Sequence, residues 1–137
     1  MNERQLAFKI LNKIERDNAY SNLTLDAALR ENAAASASSA FVTALVYGVT
    51  ERKITLDFIL SRYLTKPLKK LRPEVLTVLR LGAFQLCFMD KVPASAAVNE
   101  SVKLVKGSGC AYASGLVNSV LRKIAKDGFT YEKTGDT

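Results

Sequence analysis

Residues 73–88 read PEVLTVLRLGAFQLCF, and this stretch decides the architecture. Pro73 suits the first position of a helix, where its missing N–H costs nothing, and Glu74 beside it favours the positive end of the helix dipole. Val75, Leu76, Val78, Leu79, Leu81, Ala83, Phe84, Leu86, Cys87 and Phe88 then cover the helix nearly all round. A helix without a polar face must be surrounded. The stretch therefore predicts a central helix enclosed by other elements.

Those elements read as helices too. Upstream, the periodicity predicts a first helix over 2–16, with Leu6, Ala7, Ile10, Leu11 and Ile14 on one face and Lys9, Lys13 and Arg16 beside it. A second helix over 22–31 buries Leu23, Leu25, Ala28 and Leu29. Residues 32–39, rich in alanine and serine, read as a loop leading to an N-cap at Ser36, Ser38 or Ser39. The third helix carries Phe41, Val42, Leu45, Val46 and Val49. Its interior Gly48, which costs about 1 kcal/mol against alanine, is explained by close approach of another helix. A fourth helix over 55–64 has Asp57 in its first turn. Arg62, Lys66, Lys69, Lys70 and Arg72, with Pro67 among them and no acidic residue, form a connector between two halves.

Downstream, Pro93 starts a sixth helix with Ala97, Val98, Val102 and Val105, and Gly107-Ser108-Gly109 breaks it. The seventh repeats Ala113, Leu116, Val117, Val120, Leu121 and Ile124, and Gly128 stops it. Period-2 alternation is absent. The expected fold is all-α, with about seven helices in two packed antiparallel sub-bundles over residues 1–128 and a polar tail or linker over 129–137.

Apolar residues make up 48% of the 137, enough for a real core and too many for disorder. The formal charge of +7 favours polyanionic partners, nucleic acid before an acidic membrane surface. No apolar run is long enough to span a bilayer and the N-terminus lacks a signal peptide's apolar core, so the expected location is cytoplasmic with no membrane partner. Two cysteines, Cys87 and Cys110, make no disulfide framework and read as a core packer and a small residue at a helix start, respectively. There is no histidine, no metal-ligand spacing and no glycine-rich strand-to-helix turn. No catalysis and no metal are expected of this chain alone.

Arg80, Asn99, Glu100 and Asn118 interrupt or flank apolar stripes. They are read as a structural polar network, an Arg80–Glu100 ion pair between the fifth and sixth helices bridged by the two amides, with direct RNA contact by Arg80 as the alternative. The candidate RNA-binding residues are Arg4, Lys9, Lys13 and Arg16 on the first helix, Arg52 and Lys53 after the third, Lys69 and Lys70 in the connector, and Arg122 and Lys123 on the seventh. Tyr47, Tyr63 and Tyr112 are open either to stacking on unpaired bases or to packing.

Several segments together carry a family resemblance: Arg4-Gln5-Leu6-Ala7, LVYGV at 45–49, LRLGAFQL at 79–86, Val92-Pro93, AAVNESVKL at 96–104 and GLVNSVLRKI at 115–124. The chain resembles the NusB-like N-terminal RNA-binding domain of the RsmB/Sun (Fmu) 16S ribosomal RNA cytosine-5 methyltransferases. That resemblance implies a NusB-like helical fold that docks ribosomal RNA. It also implies a C-terminal methyltransferase domain of the same protein that uses S-adenosylmethionine and cysteine nucleophiles. Neither Cys87 nor Cys110 stands in a Pro-Cys or Thr-Cys setting. The chain departs from the family pattern at Ser38-Ser39, where an Asp-Arg pair is usual, and at Glu51, where many relatives place an arginine. The expectation is a fragment of such an enzyme or a free-standing homologue. The alternative is a stand-alone NusB-type transcription antitermination factor that binds boxA-like RNA, and a third possibility is a helical protein-interaction module.

Overall fold

In a computed structural model, which describes residues 1–31 and 38–128, the 73–88 stretch is a single helix with Pro73 in its first turn. The described residues form seven α-helices: α1 (Glu3–Asp17), α2 (Ser21–Glu31), α3 (Ser39–Glu51), α4 (Lys53–Ser61), α5 (Pro73–Phe88), α6 (Ala94–Gly107) and α7 (Ser114–Asp127). Short 3-10 turns at Leu68–Lys70 and Ala111–Ala113 precede α5 and α7. No strand occurs among the described residues.

The central helix is α5. It packs against α1, α3 and α4 from the first half and against α6 and α7 from the second, so both halves share one continuous apolar core. Gly48 and Gly82 mark two of these approaches. A Cβ on Gly48 would lie 2.0 Å from Cζ of Phe84, and one on Gly82 would lie 2.4 Å from a methyl of Leu121 and 2.8 Å from the Ser101 hydroxyl. The close approach expected at Gly48 is thus made by α5.

The helix ends follow from local chemistry. Asn2 and Gln5 form a reciprocal capping box at α1, each side chain accepting the other's backbone N–H at 2.8 Å. Asn18 ends that helix in the left-handed conformation, φ 50°. Of the three serines open as N-cap of α3, Ser38 takes the role, its hydroxyl accepting from the Phe41 N–H at 3.3 Å. Its own N–H donates to the Glu3 carboxylate at 3.0 Å, which holds that carboxyl below its ordinary range. Ser39 opens α3, while residues 32–37 of the expected loop and the tail expected over 129–137 lie outside the described residues.

Three packing expectations need correction. Leu23 and Leu116 stand on the outer edges of their apolar stripes and are exposed. The fourth helix begins at Lys53, directly after α3, so Asp57 lies in its second turn rather than at the dipole's positive end. Its partner is a cation on α5.

Tyr63, after α4, donates its phenol to the Asp127 carboxylate at 2.5 Å and ties the connector to the end of α7. Burial, reinforced by that hydrogen bond and the Asp127 charge, raises the phenol from 10.0 to about 12. An acid raised on folding contributes stability that is intact below the unfolded value of 10.0 and lost as pH climbs toward about 12. Denaturant titrations of Tyr63→Phe are therefore expected to show a smaller loss of stability between those values than the parent chain. Parallel losses would dissociate Tyr63 from the alkaline transition.

Candidate nucleic-acid interface

The polar residues within the bundle are spoken for by the fold. Arg80 is buried, and its guanidinium donates to both carboxylate oxygens of Asp57, at 2.7 and 2.9 Å. Glu15 of α1 lies 3.9 Å away on the other side and itself accepts from Lys53 at 2.8 Å. Asp57, Arg80, Glu15 and Lys53 form a charge-neutral array joining α4, α5 and α1. This corrects the expected Arg80–Glu100 pair. Two residues along a helix rotate a side chain by about 200°, so Arg80 faces away from the α6–α7 side, onto which Gly82 packs. Helix α6 turns Ala97, Val98, Ser101, Leu104 and Val105 inward. Glu100 falls off that stripe and pairs with Lys103 at 3.4 Å, Asn99 is exposed, and Asn118 accepts from Arg122 at 3.2 Å. The expected network is absent: Arg80, Glu100 and Asn118 each have a different partner and Asn99 faces solvent.

The ten candidate RNA contacts divide the same way. Arg4 donates from Nε to Oε1 of buried Gln85 at 2.7 Å and lies 5.3 Å over the Phe41 ring, so it clamps α1 to α3 and α5. Lys53 belongs to the neutral array. Arg52 stacks on the Phe88 ring at 4.3 Å and keeps an exposed charge. Arg16 pairs with neighbouring Asp17 at 3.0 Å, a fully solvated contact of little strength. Lys9, Lys13, Lys69, Lys70 and Lys123 are exposed and form no salt bridge among the described residues.

Three separate surfaces carry these charges. Lys9 and Lys13 edge a groove of about 300 Å³ between α1 and α2, floored by Leu6 and Ile10, with Leu23 and Thr24 on its far wall. Arg122 and Lys126 of α7 line a second groove together with Ser95 and Asn99 of α6. Lys66, Lys70 and Arg72 surround a third, of about 260 Å³, beside Tyr112 and Leu116. Of the three tyrosines left open, Tyr47 is half-buried against the core, Tyr63 is held by Asp127 and Tyr112 is 72% exposed. Lys66 and Arg72 stand in the basic connector, Lys126 in the basic last turn of the seventh helix and Tyr112 among the tyrosines open to stacking; which of them share a groove is decided by the tertiary structure.

Cys87 and Cys110 are buried core residues. Gly107-Ser108-Gly109 lies between α6 and the 3-10 turn, with Gly109 at φ 84°. The described residues contain no strand leading into a glycine turn. Among the described residues no helix is long and apolar enough to cross a membrane.

Comparison with known proteins gives a consistent match. The model of the NusB family matches residues 1–126. A probable ribosomal RNA small subunit methyltransferase B of Synechocystis is 41% identical over 120 residues, which cover 88% of this chain and 27% of that protein. The transcription antitermination protein NusB of Latilactobacillus sakei is 35% identical over 132 residues, covering 90% of this chain and 93% of that protein. Among solved structures, NusB of T. maritima superposes with a TM-score of 0.81 at 27% identity, covering 91% of this chain and 89% of that one. The chain thus spans about a quarter of the length of the methyltransferase it matches.

Proposed function

The chain belongs to the NusB family, and on that footing we propose that it is the ribosomal-RNA-docking domain of a small-subunit rRNA cytosine-C5 methyltransferase. RNA binding is carried by one observation. Lys9, Lys13, Lys66, Lys69, Lys70 and Lys123 are cations without salt bridges among the described residues, distributed over exposed ridges of a helical body with a net charge of +7. Such groups neutralise phosphates and release counterions, which gives affinity that is strong at low salt, and preference for one RNA over another is then added by contacts to its bases. The assignment to a methyltransferase rests on the 41% identity to the Synechocystis protein across 88% of this chain. In that setting the chain supplies affinity and orientation. S-adenosylmethionine and the catalytic cysteines belong to a further domain of the same protein, and the location is cytoplasmic.

The second reading, a stand-alone antitermination factor, is favoured by the coverage of 93% of the L. sakei protein. Competition between a small-subunit rRNA fragment and a boxA-like RNA separates the two. Preference for the rRNA fragment is expected, and preference for the boxA-like strand would transfer the chain to the second reading. Binding to neither, or equally to unrelated RNA and DNA, would remove both.

The salt dependence locates the interface. Lys9→Gln with Lys13→Gln is expected to lower the slope of log K against log salt by about 0.7–0.9 for every phosphate that the variant no longer neutralises. Equal slopes for variant and parent would take the α1–α2 groove out of the interface.

A further inference from the structure

We propose that the groove bounded by Tyr112, Lys66, Lys70 and Arg72 is a capture site for one unpaired nucleotide of an RNA strand, the phenol ring stacking on the base while the cations hold the flanking phosphates. This deepens the RNA-docking reading and rests on it. The residues come from two distant parts of the chain. The connector supplies Lys66 and Arg72, with Lys70 in its 3-10 turn, and the turn that leads into α7 supplies Tyr112.

Tyr112 is 72% exposed, and no hydrogen bond ties its hydroxyl among the described residues. A ring left in water beside an apolar edge, here Leu116 at 38% exposure, is available as a stacking platform. Lys66, Lys69 and Lys70 are exposed and lack salt bridges among the described residues; Arg72 pairs only with Glu74, at 3.4 Å, and keeps most of its side chain in water. The connector 62–72 contains no carboxylate at all. The other two grooves have cations but no exposed aromatic lining residue.

Size points the same way. At about 260 Å³ the groove is below the roughly 300–1,000 Å³ of pockets that engulf a small molecule. It suits part of a ligand laid across it, as a strand lays one base on a ring. A duplex keeps its bases stacked on each other and offers Tyr112 only its backbone. The site therefore selects single-stranded or looped RNA.

The test uses the 137-residue chain, a fluorescent single-stranded RNA and a fully paired duplex of it. Tyr112→Ala, at an exposed position, is expected to weaken single-strand binding by about 5- to 150-fold and duplex binding by less than about 2-fold. Tyr112→Phe keeps the ring and should bind within about 2-fold of the parent. Lys66→Gln with Lys70→Gln should lower the single-strand salt slope by about 0.7 for each phosphate left without its cation. If the parent binds RNA and Tyr112→Ala binds the single strand equally well, the capture site is overturned while RNA docking stands. No RNA binding by the parent at low salt would overturn both. A polyglutamate peptide whose binding falls as much as the strand's on Tyr112→Ala would reassign the groove to an acidic protein segment.

Discussion

Asp57→Ala is expected to destabilise the chain by about 3 kcal/mol, the lower end of the cost of breaking a buried ion pair from one side. The guanidinium of Arg80 is held between α4, α5 and α1, and its side chain retains only 9% exposure. Removing its bidentate partner leaves a desolvated charge with Glu15 at 3.9 Å as the remaining counter-charge. The lower end applies because the Asp57 side chain keeps 26% exposure, so water recovers part of the loss. Replacing both partners with apolar residues, as in Asp57→Leu with Arg80→Met, should recover much of the stability, since no charge is then stranded. Urea denaturation of the two single variants and the double variant measures the coupling. A cost below about 1 kcal/mol for Asp57→Ala, ordinary for a surface pair, would mean that Arg80 does not depend on this carboxylate. The array also bears on function. Lys53 and Arg80 are occupied by carboxylates, so weaker RNA binding by variants at these positions would report stability as much as contact.

Phe84 and Gly48 should show a reversal of sign. Phe84→Ala removes a ring that is 6% exposed and is expected to cost about 3–5 kcal/mol. In the parent, Gly48→Ala forces a methyl to within 2.0 Å of that ring. The ring is buried and already stacked on Phe88 at 5.8 Å, so overpacking of about 1–3 kcal/mol should exceed the helix-propensity gain of up to about 1 kcal/mol. In the Phe84→Ala background the clash is gone. There Gly48→Ala should become stabilising by a few tenths to about 1 kcal/mol. Destabilisation of similar size in both backgrounds would show that Gly48 is required for some reason other than the approach of α5.

Much of this was readable from local pattern. The apolar coverage of 73–88 required a surrounded helix, Pro73 and Gly128 marked helix ends, and the interior Gly48 required a neighbour. Charge runs located Lys9, Lys13, Lys69, Lys70 and Lys123 as solvent-facing cations. The same runs could not show which cations were already occupied. Arg4 is engaged by Gln85 and Phe41, and Lys53 by Glu15, all partners on other helices.

Helix periodicity, caps and breakers involve residues within a few positions of each other, so the amino-acid order specified the seven helices, the buried central one and the basic exterior. Pairing between helices depends on how each is rotated about its axis and on where its first turn begins. One difference of this kind, α4 starting at Lys53, put Asp57 within reach of Arg80; the rotation of α6 turned Glu100 out toward Lys103. Likewise, Tyr112, Lys66 and Lys70 line one groove although they come from distant stretches of the chain. Such contacts are set by three-dimensional packing across long stretches of chain, where linear spacing carries no information.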